Sequence, residues 1–160
     1  MPIEPTRFRF DDDDREPVLR VMRELAPTGA GWINLEPDVD QDDLPPAAGG
    51  LFQVFSASSR QVPLCTWSPP EPRAKYPYVS LGLQHGLGVG AAKYLARDVG
   101  LARDPRWRVL TDQPRRGTVV AVPVDDDFDE VLLWLLAAGT ALCPAPFGGR
   151  WHAAVYRRPS

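Results

Sequence analysis

Between Arg15 and Ala26 the apolar residues Val18, Leu19, Met22, Leu25 and Ala26 fall three and four positions apart, which predicts an amphipathic helix with one face on a core. Pro17 suits its first turn, and the aspartates at 11–14 lie at the positive end of its dipole. Pro27-Thr28-Gly29 stops it. Residues 1–14, ending in four like charges, read as solvated chain. Gly31 to Leu35 predicts a short strand with Ile33 and Leu35 on one face. Leu51 to Phe55 and Val62 to Trp67 predict two more, joined around residues 56–60 as a hairpin. The stretch 36–50 is acidic and rich in Pro and Gly, the composition of a long loop.

The second half has a cleaner rhythm. Tyr78 to Gln84 alternates apolar with small or polar residues, as a half-buried strand does. Gly90 to Val99 sets Ala91, Ala92, Leu95 and Val99 at helical spacing, with Gly100 as a C-terminal cap. Trp107 to Leu110 is a strand, Pro114-Arg115-Arg116-Gly117 a turn, and Thr118 to Val124 a β-branched strand that pairs back. Asp125, Asp126 and Asp127 offer caps to an apolar helix from Phe128 to Leu142, and Trp151 to Arg157 closes the pattern as a strand.

The fold class that follows is α+β. From about 78 to 158 the order βαββαβ is that of a ferredoxin-like half, two helices on one face of a four-stranded antiparallel sheet. An α-β-β-β N-terminal half then extends that sheet or covers its other face. Residues 1–160 read as a single domain, with a soft internal boundary at 68–77, where prolines at 69, 70, 72 and 77 stiffen the connector.

Composition narrows the function classes. A 160-residue chain can hide about 70% of its unfolded surface, so no disulfide or metal is required for a core. The formal charge of −3 gives no basic field for phosphate backbones, which argues against nucleic-acid binding. Lys occurs only at 75 and 93 beside 16 arginines, a usage that resembles the codon bias of a GC-rich genome and weakens any single Arg as a recognition signal. No stretch reaches the ~18 apolar residues of a membrane span, and the two cysteines, Cys65 and Cys143, lack paired spacing. A soluble, cytoplasmic protein without membrane contact is the expectation.

One segment points to ligand chemistry. In Gln84-His85-Gly86-Leu87-Gly88-Val89-Gly90-Ala91-Ala92, between a strand and a helix, glycines let backbone amides approach an anion at a helix N-terminus. Gly86-x-Gly88-x-x-Ala91 fits the dinucleotide fingerprint, with Asp112 as the acidic residue ending the next strand, but the chain then turns in a hairpin instead of crossing over. The stretch Gly86 to Leu95 also resembles the pyrophosphate-binding turn of the GNAT acetyltransferases, with Gly88 and Gly90 in the glycine places and His85 where that family has Arg or Gln. The resemblance covers about a dozen residues and implies coenzyme A held by the turn's amides. Beyond them the order departs from that family at the 114–117 turn.

Other candidates carry less. Arg115 and Arg116, at a hairpin tip, can meet phosphate or an acidic partner. Asp38-x-Asp40-x-Asp42 imitates an EF-hand opening but has Asp43 and Gly49 where Gly and a bidentate Glu are needed, and two histidines with two cysteines make no zinc pattern, so no metal is expected. No nucleophile elbow exists, and no catalytic residue is assigned. Trp67 and Trp107, near loops, are candidates for a pocket wall. The reading is a non-catalytic ligand-binding or protein-assembly domain, with a homodimer through an open sheet edge or face as one form. Its alternative is a GNAT-like acyltransferase, or another binder of a phosphorylated cofactor, at His85, Gly86, Gly88 and Gly90 with Arg115 and Arg116 nearby.

Overall fold

Seven strands and three helices run through the residues that the computed structural model describes, 2–44 and 62–159. In chain order they are β1 (Thr6–Asp11), α1 (Glu16–Leu25), β2 (Gly31–Pro37), β3 (Leu64–Ser68), β4 (Val79–Gln84), α2 (Ala91–Tyr94), β5 (Arg108–Gln113), β6 (Gly117–Val122), α3 (Phe128–Leu142) and β7 (Arg150–Arg157). Leu95–Val99 carries α2 on as a π turn, which ends at Gly100 in the left-handed region (φ 79°). The strand and hairpin expected at 51–60 lie outside the described residues.

The seven strands make one antiparallel sheet in the order β1-β7-β2-β3-β4-β6-β5. Two split βαβ units are visible in it. β4 and β5 flank β6, with α2 as the crossover, and β1 and β2 flank β7, with α1 as the crossover. The ferredoxin-like order expected over 78–158 would set β7 beside β4, but β2 and β3 stand between them. The physical reason lies in β1 and β2, which together offer β7 two backbone edges, registered from Thr6↔Val155 to Asp11↔Arg150 and from Gly31↔Arg157 to Pro37↔Trp151. The N-terminal half therefore extends the sheet.

β1 itself corrects the expectation of solvated chain at 1–14. Arg7-Phe8-Arg9-Phe10 alternates, so that Phe10 is buried while both arginines are exposed at an edge strand. Charge on an edge also discourages pairing with another chain. The opposite edge, β5, is interrupted by a bulge at Leu110 between Val109 and Thr111.

The helices share one sheet face, where α3 packs on β2 and β3 and touches α1 and the π turn. Ile33, Leu35, Cys65, Trp67, Leu81, Leu83, Val120, Trp151 and Val155 point into this layer and are almost fully buried. At about 25 cal/mol per Å² of apolar surface, such burial is the main stabilising term. Trp67 packs edge-on against Phe128, and Trp107 against Trp134, and both belong to the buried core. Gly139 lets α3 approach closely: a Cβ there would stand 2.7 Å from Cys65 Sγ and 2.8 Å from Trp151 Cη2. Arg15 ties the start of α1 to α3 by a bidentate pair with Asp129, at 2.7 and 3.1 Å, which holds the Asp129 carboxyl below the usual carboxylate range.

Among the described residues no helix lies on the opposite face. Three rows cross it, set by the registers. One runs Tyr156, Trp32, Ser68, Ser80, Ala121. The next runs Arg7, Ala154, Asn34, Thr66, Gly82, Val119, and the third begins Arg9, His152, Glu36.

Candidate functional site

The glycine turn follows β4 directly. His85 continues the inward alternation of Leu81 and Leu83, so its ring is 2% exposed. Its Nδ1 accepts the Leu87 amide at 3.2 Å, while Nε2 has no partner. Burial pushes the imidazole pKa below its ordinary value, and the nearby negative charge of Asp112 opposes that shift. The 114–117 turn folds back onto the same place. Arg115, at φ 60°, donates its amide to the Leu87 carbonyl at 2.9 Å, so the structure brings His85, the glycine turn and Arg115 together. The side chains of Arg115 and Arg116 remain exposed.

What fills the helix entrance is a carboxylate. Asp112, on β5, accepts from the amides of Ala92 at 2.9 Å and Lys93 at 3.2 Å, and from the Thr118 hydroxyl at 2.8 Å. It thus takes the position in which a phosphate would use those amides. The glycines differ in purpose. At Gly90 an added Cβ would stand 2.4 Å from the Asp112 carboxylate, whereas at Gly88 it would meet nothing within 4 Å. Gly90 is required by the cap, and Gly88 is not required by its surroundings.

The second constellation is on the open sheet face, over β1, β7 and β2. Ala154 is the smallest side chain among long neighbours, and it forms the floor of a concavity of about 570 Å³ lined by Arg7, Arg9, Asn34, Glu36, His152 and Tyr156. Tyr156 stands at one end. Its ring stacks on Trp32 with centroids 4.8 Å apart and planes within 5°, and the Arg158 guanidinium lies 5.3 Å from the Trp32 centroid. The cross-strand Trp32 ring, covered by Arg158, thereby holds the wall in place. At the other end Asp38 takes His152 Nε2 at 3.0 Å and Arg9 Nε at 3.8 Å. Asn34, the chain's only asparagine, accepts the Thr66 hydroxyl at 2.9 Å. Arg7 has no acidic partner among the described residues.

None of the ligand-site candidates His85, Gly86, Gly88, Gly90, Arg115 and Arg116 lies in this concavity, and of the chain's two histidines it is His152 that lines it. The sequence does not mark this face, because its members are scattered over residues 7–156 and meet only through strand pairing. One signal was local: the Arg-Phe-Arg-Phe alternation at 7–10, read as a strand, places both arginines on one side. Among the described residues no cluster of His, Cys, Asp and Glu could hold a metal ion, and no helix is long and apolar enough to cross a membrane. Compared with known proteins, the chain matches no family model, no curated protein and no solved structure at a significant level.

Proposed function

We propose that this chain acts by binding rather than by catalysis, and that its working surface is the sheet face turned away from the helices. One observation carries the reading. On that face a concavity of about 570 Å³ is lined by polar and aromatic side chains that the core does not use. The edges support it less well as working surfaces, since β1 is charged and β5 is bulged, so a homodimer through an edge is the weaker form of the same reading.

The coenzyme A alternative locates the ligand at 86–90 instead. Asp112 weighs against it, because a second anion would have to displace a carboxylate already bonded to two amides and a hydroxyl. Amide chemical shifts of the labelled chain, recorded against a fragment library that includes coenzyme A, separate the two. Perturbation of Arg7, Asn34, Ala154 and Tyr156 is the expected result. Shifts confined to His85–Gly90 with Arg115 and Arg116 would move the site to the glycine turn and end the open-face reading.

A further inference from the structure

Resting on the open-face reading, we infer that the concavity over Ala154 takes a small molecule with a planar ring and one anionic group, a carboxylate or a phosphate. The inference comes from what each lining residue has left to offer. Asp38 is occupied by His152 and Arg9, and Glu36, at the same end, is engaged as well. Arg7 is different: its guanidinium borders the concavity and no acidic group among the described residues neutralises it. An unpaired guanidinium presents a planar fork of donors matched to a carboxylate or phosphate. Asn34 stands across Ala154 from Arg7 in the same row, and the Thr66 hydroxyl occupies its carboxamide oxygen, which leaves its N–H donors for a ligand. The groups left over on both sides of the floor are therefore donors, so the ligand must supply acceptors.

Shape adds the ring. The space is several times what one phosphate fills and lies in the range of small-molecule pockets, about 300–1,000 Å³. Its end wall is the Tyr156 ring, fixed by Trp32 and Arg158, so a flat apolar group can pack there with little ordering of the protein. The floor, Ala154, offers a methyl group and no competing polar atom.

Phenyl phosphate, inorganic phosphate and benzyl alcohol, titrated separately into the isotopically labelled full chain, test this. Phenyl phosphate should give saturable amide shifts at Arg7, Asn34 and Ala154. Arg7→Gln, at an exposed position, should weaken it about tenfold, the loss of one charge-assisted pair, with the circular dichroism spectrum unchanged. Tyr156→Leu should weaken phenyl phosphate and leave inorganic phosphate unaffected. Equal affinity in wild type and Arg7→Gln overturns the anionic assignment. If benzyl alcohol alone moves these amides, the anionic assignment falls while the open-face reading stands. If none of the three moves any residue of this face, both fall.

Discussion

Asp112 on β5 accepts a hydrogen bond from the amide of Ala92 on α2 at 2.9 Å, so a strand side chain completes the start of a helix that precedes it by about twenty residues in sequence. The turn that reads as an anion cradle is closed by an anion of the protein's own. That relationship sets the first expectation. Asp112→Ala leaves two amides and the buried Thr118 hydroxyl without their acceptor and should lower stability by about 1–3 kcal/mol. Gly90→Ala should act in the same direction by pushing the carboxylate away, whereas Gly88→Ala should stay within about 0.5 kcal/mol of wild type. Urea unfolding of the three variants decides it, and equal midpoints for Gly90→Ala and Gly88→Ala would contradict the cap.

His85 makes stability depend on pH above the carboxylate range. Its native pKa lies below the ordinary value, so the unfolded chain binds the proton more readily. Stability is full above the unfolded pKa of about 6.5 and is lost as pH falls below it, down to the native pKa. Unfolding free energy should therefore fall as the pH drops below about 6.5 in wild type, and less steeply in His85→Gln. Parallel curves for the two proteins would show that the ring's burial has no such effect.

Gly139 sets propensity against packing. In a helix interior Gly→Ala ordinarily gains about 1 kcal/mol. Here the added methyl would enter space held by Cys65 and Trp151, and overpacking of that kind costs about 1–3 kcal/mol. Gly139→Ala should lower the thermal midpoint, and a raised midpoint would mean that α3 moves off the sheet freely.

The two thiols should react at different rates. Burial, reinforced by the charge of Glu36, pushes the Cys65 thiol up to about 12, while Cys143 is partly exposed. An aromatic disulfide reagent should label one cysteine in the native protein and both in urea, with peptide mapping placing the native label on Cys143. Rapid native labelling of Cys65 would count against its burial beneath α3.

Much of the fold was legible wherever the signal was local. The helix expected at 128–142 has those bounds, and the one expected over 15–26 forms at Glu16–Leu25, because caps, prolines and the 3.6 period all act within a few residues. β1 is masked in the sequence by the four aspartates that follow its short two-residue alternation. The place of β7 was not legible, since Trp151 to Arg157 reads as a strand beside any partner with an open edge, and only the register with β1 and β2 selects one. The glycine turn was visible as a motif, but its occupant was not. In the sequence Asp112 reads as the acidic residue of a dinucleotide fingerprint, and only the placement of β5 against α2 shows it as a cap. The concavity is the extreme case, since Arg7, Asn34 and Tyr156 become neighbours only through that same pairing.

The position of β7 also has a consequence for the order of events during synthesis. Both β1 and β2 are translated by the time Pro37 is added, yet the strand that bridges them is not complete until Arg157 has been translated. Until then two facing edges stay open on a nascent chain, and closing them requires a contact between residues about 145 apart, the kind of non-local step that slows folding and leaves edges exposed to other chains. Arg7 and Arg9 lie on one of those strands throughout that interval, and charges that line a concavity in the finished protein also discourage pairing with other chains while it is being made.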